Sequence, residues 1–67
     1  MIKNRVAITM AEKNIEKRDI TKLTKIDRHI LNKIVRGEIN SISLKNMNVL
    51  CYALNCTPNE LFEYIPD

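Results

Sequence analysis

The residues with binding chemistry cluster in one short segment, where Arg28, His29, Asn32 and Lys33 follow one another closely. Arginine and lysine side chains donate hydrogen bonds and carry positive charge, while asparagine both donates and accepts. The chain offers no nucleophile paired with a base, no glycine-rich phosphate loop and no pair of carboxylates suited to acid–base chemistry. These residue types favour a binding protein over an enzyme.

The candidate metal ligands are too few and too widely spaced to make a metal site. His29 is the only histidine, and no second ligand stands at a suitable spacing on its helix. Cys51 and Cys56 are separated by four residues. Because they lack a second cysteine or histidine pair, neither a zinc site nor a disulfide framework is expected. We interpret both cysteines as small core residues and expect no cofactor and no small-molecule ligand.

Charge is unevenly distributed along the 67 residues, although the net charge is only +3. Residues 1–36 contain ten Lys or Arg against four Asp or Glu, giving +6, whereas residues 37–67 contain one against four, giving −3. A basic half of this kind is typical of proteins that bind nucleic acids, but solvated basic faces are also common. The charge pattern therefore favours nucleic-acid binding without establishing it.

Length and composition limit the fold to a small globular one. A chain of 67 residues is too short for two hydrophobic cores, so a single domain over residues 1–67 is expected. Hydrophobic residues make up 45% of the chain, and no apolar run is long enough to span a membrane. Because no apolar signal segment follows Met1 and cysteines are few, the predicted location is the cytoplasm.

The apolar residues recur with helical spacing, and the helix ends carry signals of their own. Helix starts are predicted where a polar residue is flanked by two apolar residues that can pack together, at Glu16, Asp27, Ser43 and Thr57. Helix stops are predicted at residues that tolerate a left-handed backbone, namely Asn14, Gly37 and Asn55. The sequence thus predicts an all-α domain of five helices, near residues 2–13, 17–24, 28–36, 44–54 and 58–64.

A very short turn joins the second and third predicted helices. Only Lys25 and Ile26 precede Asp27, the cap of the third helix, so the two helices must turn sharply against each other. Leu31 and Ile34 then face inward, which leaves the four polar residues of the opening segment on the outer face. This arrangement is typical of a helix-turn-helix, whose second helix enters the major groove of DNA.

Three segments of the chain resemble the phage-repressor and Cro type of helix-turn-helix protein, also called the xenobiotic-response-element family. They are residues 20–28 (ITKLTKIDR), 34–38 (IVRGE) and 50–58 (LCYALNCTP). Residues 63–67 (EYIPD) resemble the ending of the compact form of this family found in many bacteria and their mobile elements. Each string is short, but their order and spacing together are specific, and the resemblance covers nearly the whole chain.

Three positions depart from the family pattern. Lys25 stands where the family usually has glycine in the turn, and positive φ at a lysine costs on the order of 1 kcal/mol. Thr21 replaces the usual alanine where the two helices cross, and Lys17 stands where glutamine is favoured at the start of the second helix. DNA binding is still expected, with a somewhat distorted turn before the third helix.

The resemblance implies a role for each group of polar residues. Base edges would be contacted by Arg28, His29, Asn32 and Lys33, since Arg and Lys donate to guanine O6 and N7 and Asn pairs with adenine. Phosphates would be contacted by Lys17, Arg18, Asn40, Ser41 and Ser43. The implied function is a sequence-specific transcriptional regulator, a repressor, that binds double-stranded DNA.

The C-terminal residues carry more apolar and aromatic surface than a last helix needs to cover a core. Members of the resembled family commonly bind two half-sites about one helical turn apart. We therefore predict a homodimer, with Phe62, Tyr64 and Ile65 in its interface.

Two other functions remain open from the sequence. A protein-interaction module, such as an antirepressor or an accessory subunit, would share the scaffold. Its third helix should present apolar or acidic residues, and Asp27, Ile30 and Lys25 count in its favour, whereas Arg28 and Lys33 count against it. RNA binding is the weaker alternative, because all three aromatic residues lie in the C-terminal part and leave no platform for stacking bases.

Overall fold

A computed structural model describes all of residues 1–67 and contains five helices and a two-stranded sheet. The elements are β1 (Ile2–Asn4), α1 (Val6–Lys13), α2 (Lys17–Thr24), α3 (Arg28–Arg36), α4 (Leu44–Leu54), α5 (Pro58–Leu61) and β2 (Phe62–Tyr64). The predicted bounds of the three middle helices are confirmed. None of the helices combines the length and the apolar composition that a membrane crossing requires.

The fold is mostly helical with five helices, as predicted, and a small sheet that joins the two ends of the chain is the addition to the predicted all-α fold. Helices were predicted over residues 2–13 and 58–64, but α1 begins at Val6 and α5 ends at Leu61. The strands pair in antiparallel register, Ile2 with Tyr64, Lys3 with Glu63 and Asn4 with Phe62. Strands of three residues are too short to alternate visibly in a sequence, and each finds its partner at the opposite end of the chain. The prediction from local sequence signals therefore made both helices too long.

All five helices contribute to one hydrophobic core. Its nine buried residues are Val6, Met10, Ile20, Ile26, Leu31, Ile34, Leu50, Leu54 and Leu61. The predicted inward face of α3 is confirmed, since Leu31 and Ile34 are buried and Val35 packs against the core. The core thus fixes which side of α3 is left to the solvent.

Left-handed residues end the first four helices. Asn14, Gly37 and Asn55 adopt positive φ as predicted, and Lys25 does so as well. After α1, α3 and α4, two backbone N–H groups bond back to carbonyl groups of the last turn, which is the Schellman motif. After α2 a single bond of 3.2 Å runs from the Lys25 N–H to the Thr21 carbonyl.

Candidate nucleic-acid interface

The turn between α2 and α3 sets the direction in which α3 leaves the core. Lys25 takes the left-handed backbone with φ 62°. The Thr24 hydroxyl donates to the Ile20 carbonyl at 2.7 Å and accepts from the Ile26 N–H at 3.4 Å. Ile26 is itself buried. Lys25 thus adopts the left-handed backbone that is expected of glycine. The departure from the family pattern adds backbone strain, but the turn still forms.

Asp27 begins α3 as its cap. Its Oδ1 accepts hydrogen bonds from the backbone N–H groups of His29 at 2.8 Å and Ile30 at 3.0 Å. These bonds satisfy two donors that the helix itself leaves free. The prediction that Asp27 is a cap is confirmed, and its carboxylate is directed to the backbone of α3.

A polar face runs along the side of α3 opposite the core. At about 100° per residue, five side chains share this face, namely Arg28, His29, Asn32, Lys33 and Arg36. Asn32 is half-buried and the other four are exposed. Three of the five are cationic and none is acidic. We call these five residues the α3 outer face.

Sequence reasoning missed Arg36. It lies one helical turn beyond Asn32, and the spacing of four residues from Arg28 to Asn32 to Arg36 is the signal that identifies it. Arg36 is exposed in the last turn of α3. It extends the positive charge of the outer face to the C-terminal end of the helix.

One hydrogen bond connects the start of α2 to the α3 outer face. Lys17 Nζ donates to Asn32 Oδ1 at 3.1 Å in a partly buried setting. Because an ammonium group only donates, the bond orients the amide with its oxygen toward Lys17. The structure therefore brings a predicted phosphate contact, Lys17, against a predicted base contact, Asn32.

Arg28 lies beside Lys17 and Arg18 in a shallow depression of about 410 Å³ at the N-terminal ends of α2 and α3. Arg18 Nε lies 3.0 Å from Glu16 Oε2, and both side chains are largely exposed. An exposed ion pair of this kind contributes little free energy, so it leaves Arg18 free to exchange partners. Three cations and one carboxylate, that of Glu16, line this depression, so its net charge is positive.

The remaining predicted phosphate contacts lie between α3 and α4. Asn40 and Ser41 are exposed and line a separate groove of about 370 Å³, which Ile2 and Phe62 also line. Ser43 Oγ accepts the Asn46 N–H at 3.0 Å and caps α4, while its hydroxyl proton can still be donated. No hydrogen bond joins these residues to the basic depression at the start of α2 and α3.

Asn4 anchors the C-terminal end of α3. Its Nδ2 donates to the Ile34 carbonyl at 2.9 Å, and its Oδ1 accepts the Val6 N–H at 3.0 Å. One side chain thus connects β1, the start of α1 and the last turn of α3. The sequence prediction missed this role because it placed Asn4 inside a helix.

The residues predicted for a dimer interface separate into two groups. Phe62 is half-buried and packs against the core, whereas Tyr64 is 66% exposed and Ile65 38% exposed. Met1 and Ile2, each 61% exposed, lie beside them across the sheet, since Ile2 pairs with Tyr64 and the Met1 carbonyl accepts the Ile65 N–H. We call Met1, Ile2, Tyr64 and Ile65 the sheet strip.

Comparison with known proteins gives one family match. Residues 5–67, from just before α1 through β2 to the C-terminal residue of the chain, match the family described as Cro/C1-type HTH DNA-binding domain. No curated protein matches the chain.

Proposed function

Because the chain belongs to the Cro/C1-type helix-turn-helix DNA-binding family, we propose that residues 1–67 act as one domain that reads double-stranded DNA in a sequence-specific way. The α3 outer face carries this proposal, because it presents basic and polar side chains and no acidic one. A helix-turn-helix protein places this face in the major groove. Arg28, His29, Asn32 and Lys33 then contact the edges of bases.

Asn32 is the base reader with the best-defined orientation. Pairing with adenine requires the amide oxygen to accept from the N6 amino group while the amide nitrogen donates to N7. Asn32 Oδ1 accepts from Lys17 and has a second lone pair, and its Nδ2 makes no hydrogen bond within the protein. We therefore propose that Asn32 specifies an adenine, while Arg28 and Lys33 donate to guanine.

We propose that the phosphate contacts come from both sides of α3. Lys17 and Arg18 lie at the start of α2, and Asn40, Ser41 and Ser43 lie between α3 and α4. Each neutralised phosphate contributes about 0.9 to the slope of log affinity against log salt. Lys17 and Arg18 are the two cations among these residues, so two neutralised phosphates should lower affinity about tenfold between roughly 50 and 200 mM salt.

A salt titration of DNA binding, by fluorescence anisotropy, tests this set of contacts. Lys17→Met should lower the slope by about 1, because one phosphate contact is lost. Lys13→Met is the matched control, since Lys13 lies at the end of α1 and donates to the Asn55 carbonyl at 3.4 Å. A fall in wild-type affinity of less than about threefold over the same salt range would contradict the proposed phosphate contacts.

We propose that the regulatory role is repression, exerted in the cytoplasm on the nucleoid. A protein that occupies the major groove at a promoter excludes other proteins from the same groove. Transcription in vitro from a promoter that carries the selected binding site should fall as the protein is added. Stimulated transcription from that promoter would contradict the repressor role.

We also propose that two copies pair through the sheet strip. Its residues form two neighbouring pairs at one end of the short sheet, Ile2 with Tyr64 and Met1 with Ile65, and a sheet of two strands also leaves unpaired backbone groups along its outer edges. A second copy is the partner that a twofold-symmetric operator requires, with half-sites about 34 Å apart. The pairing would place two α3 helices on one side of the DNA.

Sedimentation equilibrium tests the pairing. The wild-type protein should dimerise at high micromolar concentration, and Tyr64→Asp should weaken the dimer at least tenfold by placing a charge in the apolar strip. Tyr52→Asp is the matched control, since Tyr52 is 68% exposed on α4 and lies outside the strip. A wild-type monomer that also binds as a single copy to DNA with two half-sites would contradict the dimer.

A further inference from the structure

Two cysteines lie on the two sides of the turn that ends α4. The Cys56 N–H donates to the Cys51 carbonyl at 3.1 Å, and the Asn55 N–H donates to the Tyr52 carbonyl at 3.4 Å. These two bonds form a Schellman motif, in which the side chains of the residues joined by the first bond frequently contact each other. In α4 both of those residues are cysteines, and both thiols are free.

The other two Schellman motifs show what this contact position holds elsewhere in the chain. After α1 the corresponding residues are Met10 and Ile15, and after α3 they are Lys33 and Glu38, each pair joined by a backbone bond of 2.9 Å. The first pair is apolar and the second is oppositely charged. Only the motif after α4 places two groups together that can form a covalent bond with each other.

The geometry suits a disulfide between the two cysteines. Their backbone hydrogen bond keeps the Cα atoms close to the span of about 4.4–6.8 Å that a disulfide requires. The Cys51 side chain also lies close enough to the Cys56 thiol to raise its pKa. Both side chains are half-buried rather than enclosed, so a small reagent can approach them.

We propose that Cys51 and Cys56 form a reversible intramolecular disulfide, which makes the end of α4 a redox-modification site. The oxidant is a small-molecule disulfide of the glutathione type. The Cys51 thiolate attacks one of its sulfur atoms, which forms a mixed disulfide and releases one small thiolate. Cys56 then loses its proton and attacks the Cys51 sulfur, which releases the second small thiolate. The protein gives up two protons and two electrons, and the small disulfide is reduced to two thiols.

The surroundings of Cys56 explain this order of attack. Burial raises the pKa of the Cys56 thiol, as do Cys51 and the Glu60 carboxylate, while the Lys13 ammonium opposes them. A raised pKa leaves less thiolate at neutral pH, which slows the attack of Cys56 on an external disulfide. Its attack on Cys51 is the intramolecular step, in which proximity compensates for the smaller thiolate fraction.

The cross-link would connect the last turn of α4 to the residue before Thr57, the cap of α5. Leu54 and Leu61 are fully buried on the two sides of this turn, so the turn is part of the core packing. A disulfide that fits the native geometry stabilises the folded state, even when it closes a short loop. We expect the melting temperature to rise by about 5–10 °C on oxidation.

Equilibration with glutathione redox buffers tests the proposal. Reduced protein is incubated in graded mixtures of reduced and oxidised glutathione, with and without urea, then alkylated and analysed by intact mass. The folded protein should yield a species lighter by two hydrogen atoms. Its equilibrium constant of formation should be at least tenfold larger than that of the urea-unfolded chain, because the fold holds the cysteines together. A constant equal to or smaller than that of the unfolded chain would overturn the proposal.

Single substitutions separate the cross-link from other oxidation products. Cys51→Ser and Cys56→Ser should each give only a mixed disulfide with glutathione, and neither should gain the increase in melting temperature that the oxidised wild type shows. Both variants conserve the size of the side chain, so the fold should persist. Glutathione adducts as the final wild-type product, or a disulfide between two chains, would also overturn the proposal.

Discussion

At the scale of single residues, the Lys17–Asn32 hydrogen bond links the two tasks of the proposed interface. It crosses from α2 to α3 and joins a side chain proposed for a phosphate to one proposed for a base. Lys17 has three donors and Asn32 keeps its amide hydrogens, so each group can bind DNA without breaking the bond between them. We therefore propose that a phosphate contact made by Lys17 also orients Asn32 toward a base.

A double-mutant cycle measures this linkage. Asn32→Ala should weaken binding to the selected site by about 1–3 kcal/mol, because a bidentate base contact is lost. Lys17→Met should also weaken binding, and the double variant should lose less than the sum, because Lys17 acts partly through Asn32. DNA titrations of the four proteins give the coupling energy. Strictly additive losses would show that the hydrogen bond plays no part in the complex.

Lys25 stores backbone strain in the turn. Its φ of 62° costs about 1–2 kcal/mol for a side chain with a Cβ atom, whereas glycine adopts it freely at a smaller cost in chain entropy. Lys25→Gly should therefore raise the free energy of unfolding by about 0.5–1 kcal/mol, as measured by urea denaturation. The same change at Lys22, inside α2, should lower it by about 1 kcal/mol. A lower free energy of unfolding for Lys25→Gly would contradict the presence of backbone strain at Lys25.

At the scale of elements, the helices with signals at both ends were predicted correctly. The Asp27 side chain caps the start of α3, and the Gly37 N–H caps its end. Both form hydrogen bonds to backbone groups of α3 itself. α5 begins as predicted after Thr57, but no left-handed residue or glycine marks its end. There the chain passes directly into β2, and its pairing with β1 depends on contacts between the two ends of the chain, which no local signal reports.

Asn4 gives the short sheet a direct influence on α3. Asn4→Ala removes two partly buried hydrogen bonds, to the Ile34 carbonyl and from the Val6 N–H, and should lower the free energy of unfolding by about 1–3 kcal/mol. Asn40→Ala, at an exposed loop position without a hydrogen bond in the protein, should change it by less than about 0.5 kcal/mol. Equal effects of the two substitutions in urea denaturation would show that Asn4 does not anchor α3.

At the scale of the whole molecule, charge and apolar surface lie in different parts of the chain. The basic half, residues 1–36, contains α2 and α3, and its four acidic residues, Glu12, Glu16, Asp19 and Asp27, all stand at helix starts or in ion pairs. The sheet strip instead depends on both termini. The sequence therefore indicated four residues of the α3 outer face from one segment. It named only Tyr64 and Ile65 of the sheet strip, because Met1 and Ile2 join them only in the folded protein.

The central claim, that the α3 outer face reads a DNA sequence, is tested most directly by selecting bound duplexes from a random DNA pool. We predict that the wild-type protein recovers a coherent motif containing an adenine at one fixed position. Asn32→Ala should recover the same motif with that position relaxed. Recovery of unselected DNA by the wild-type protein would contradict the claim and would favour a protein partner for α3.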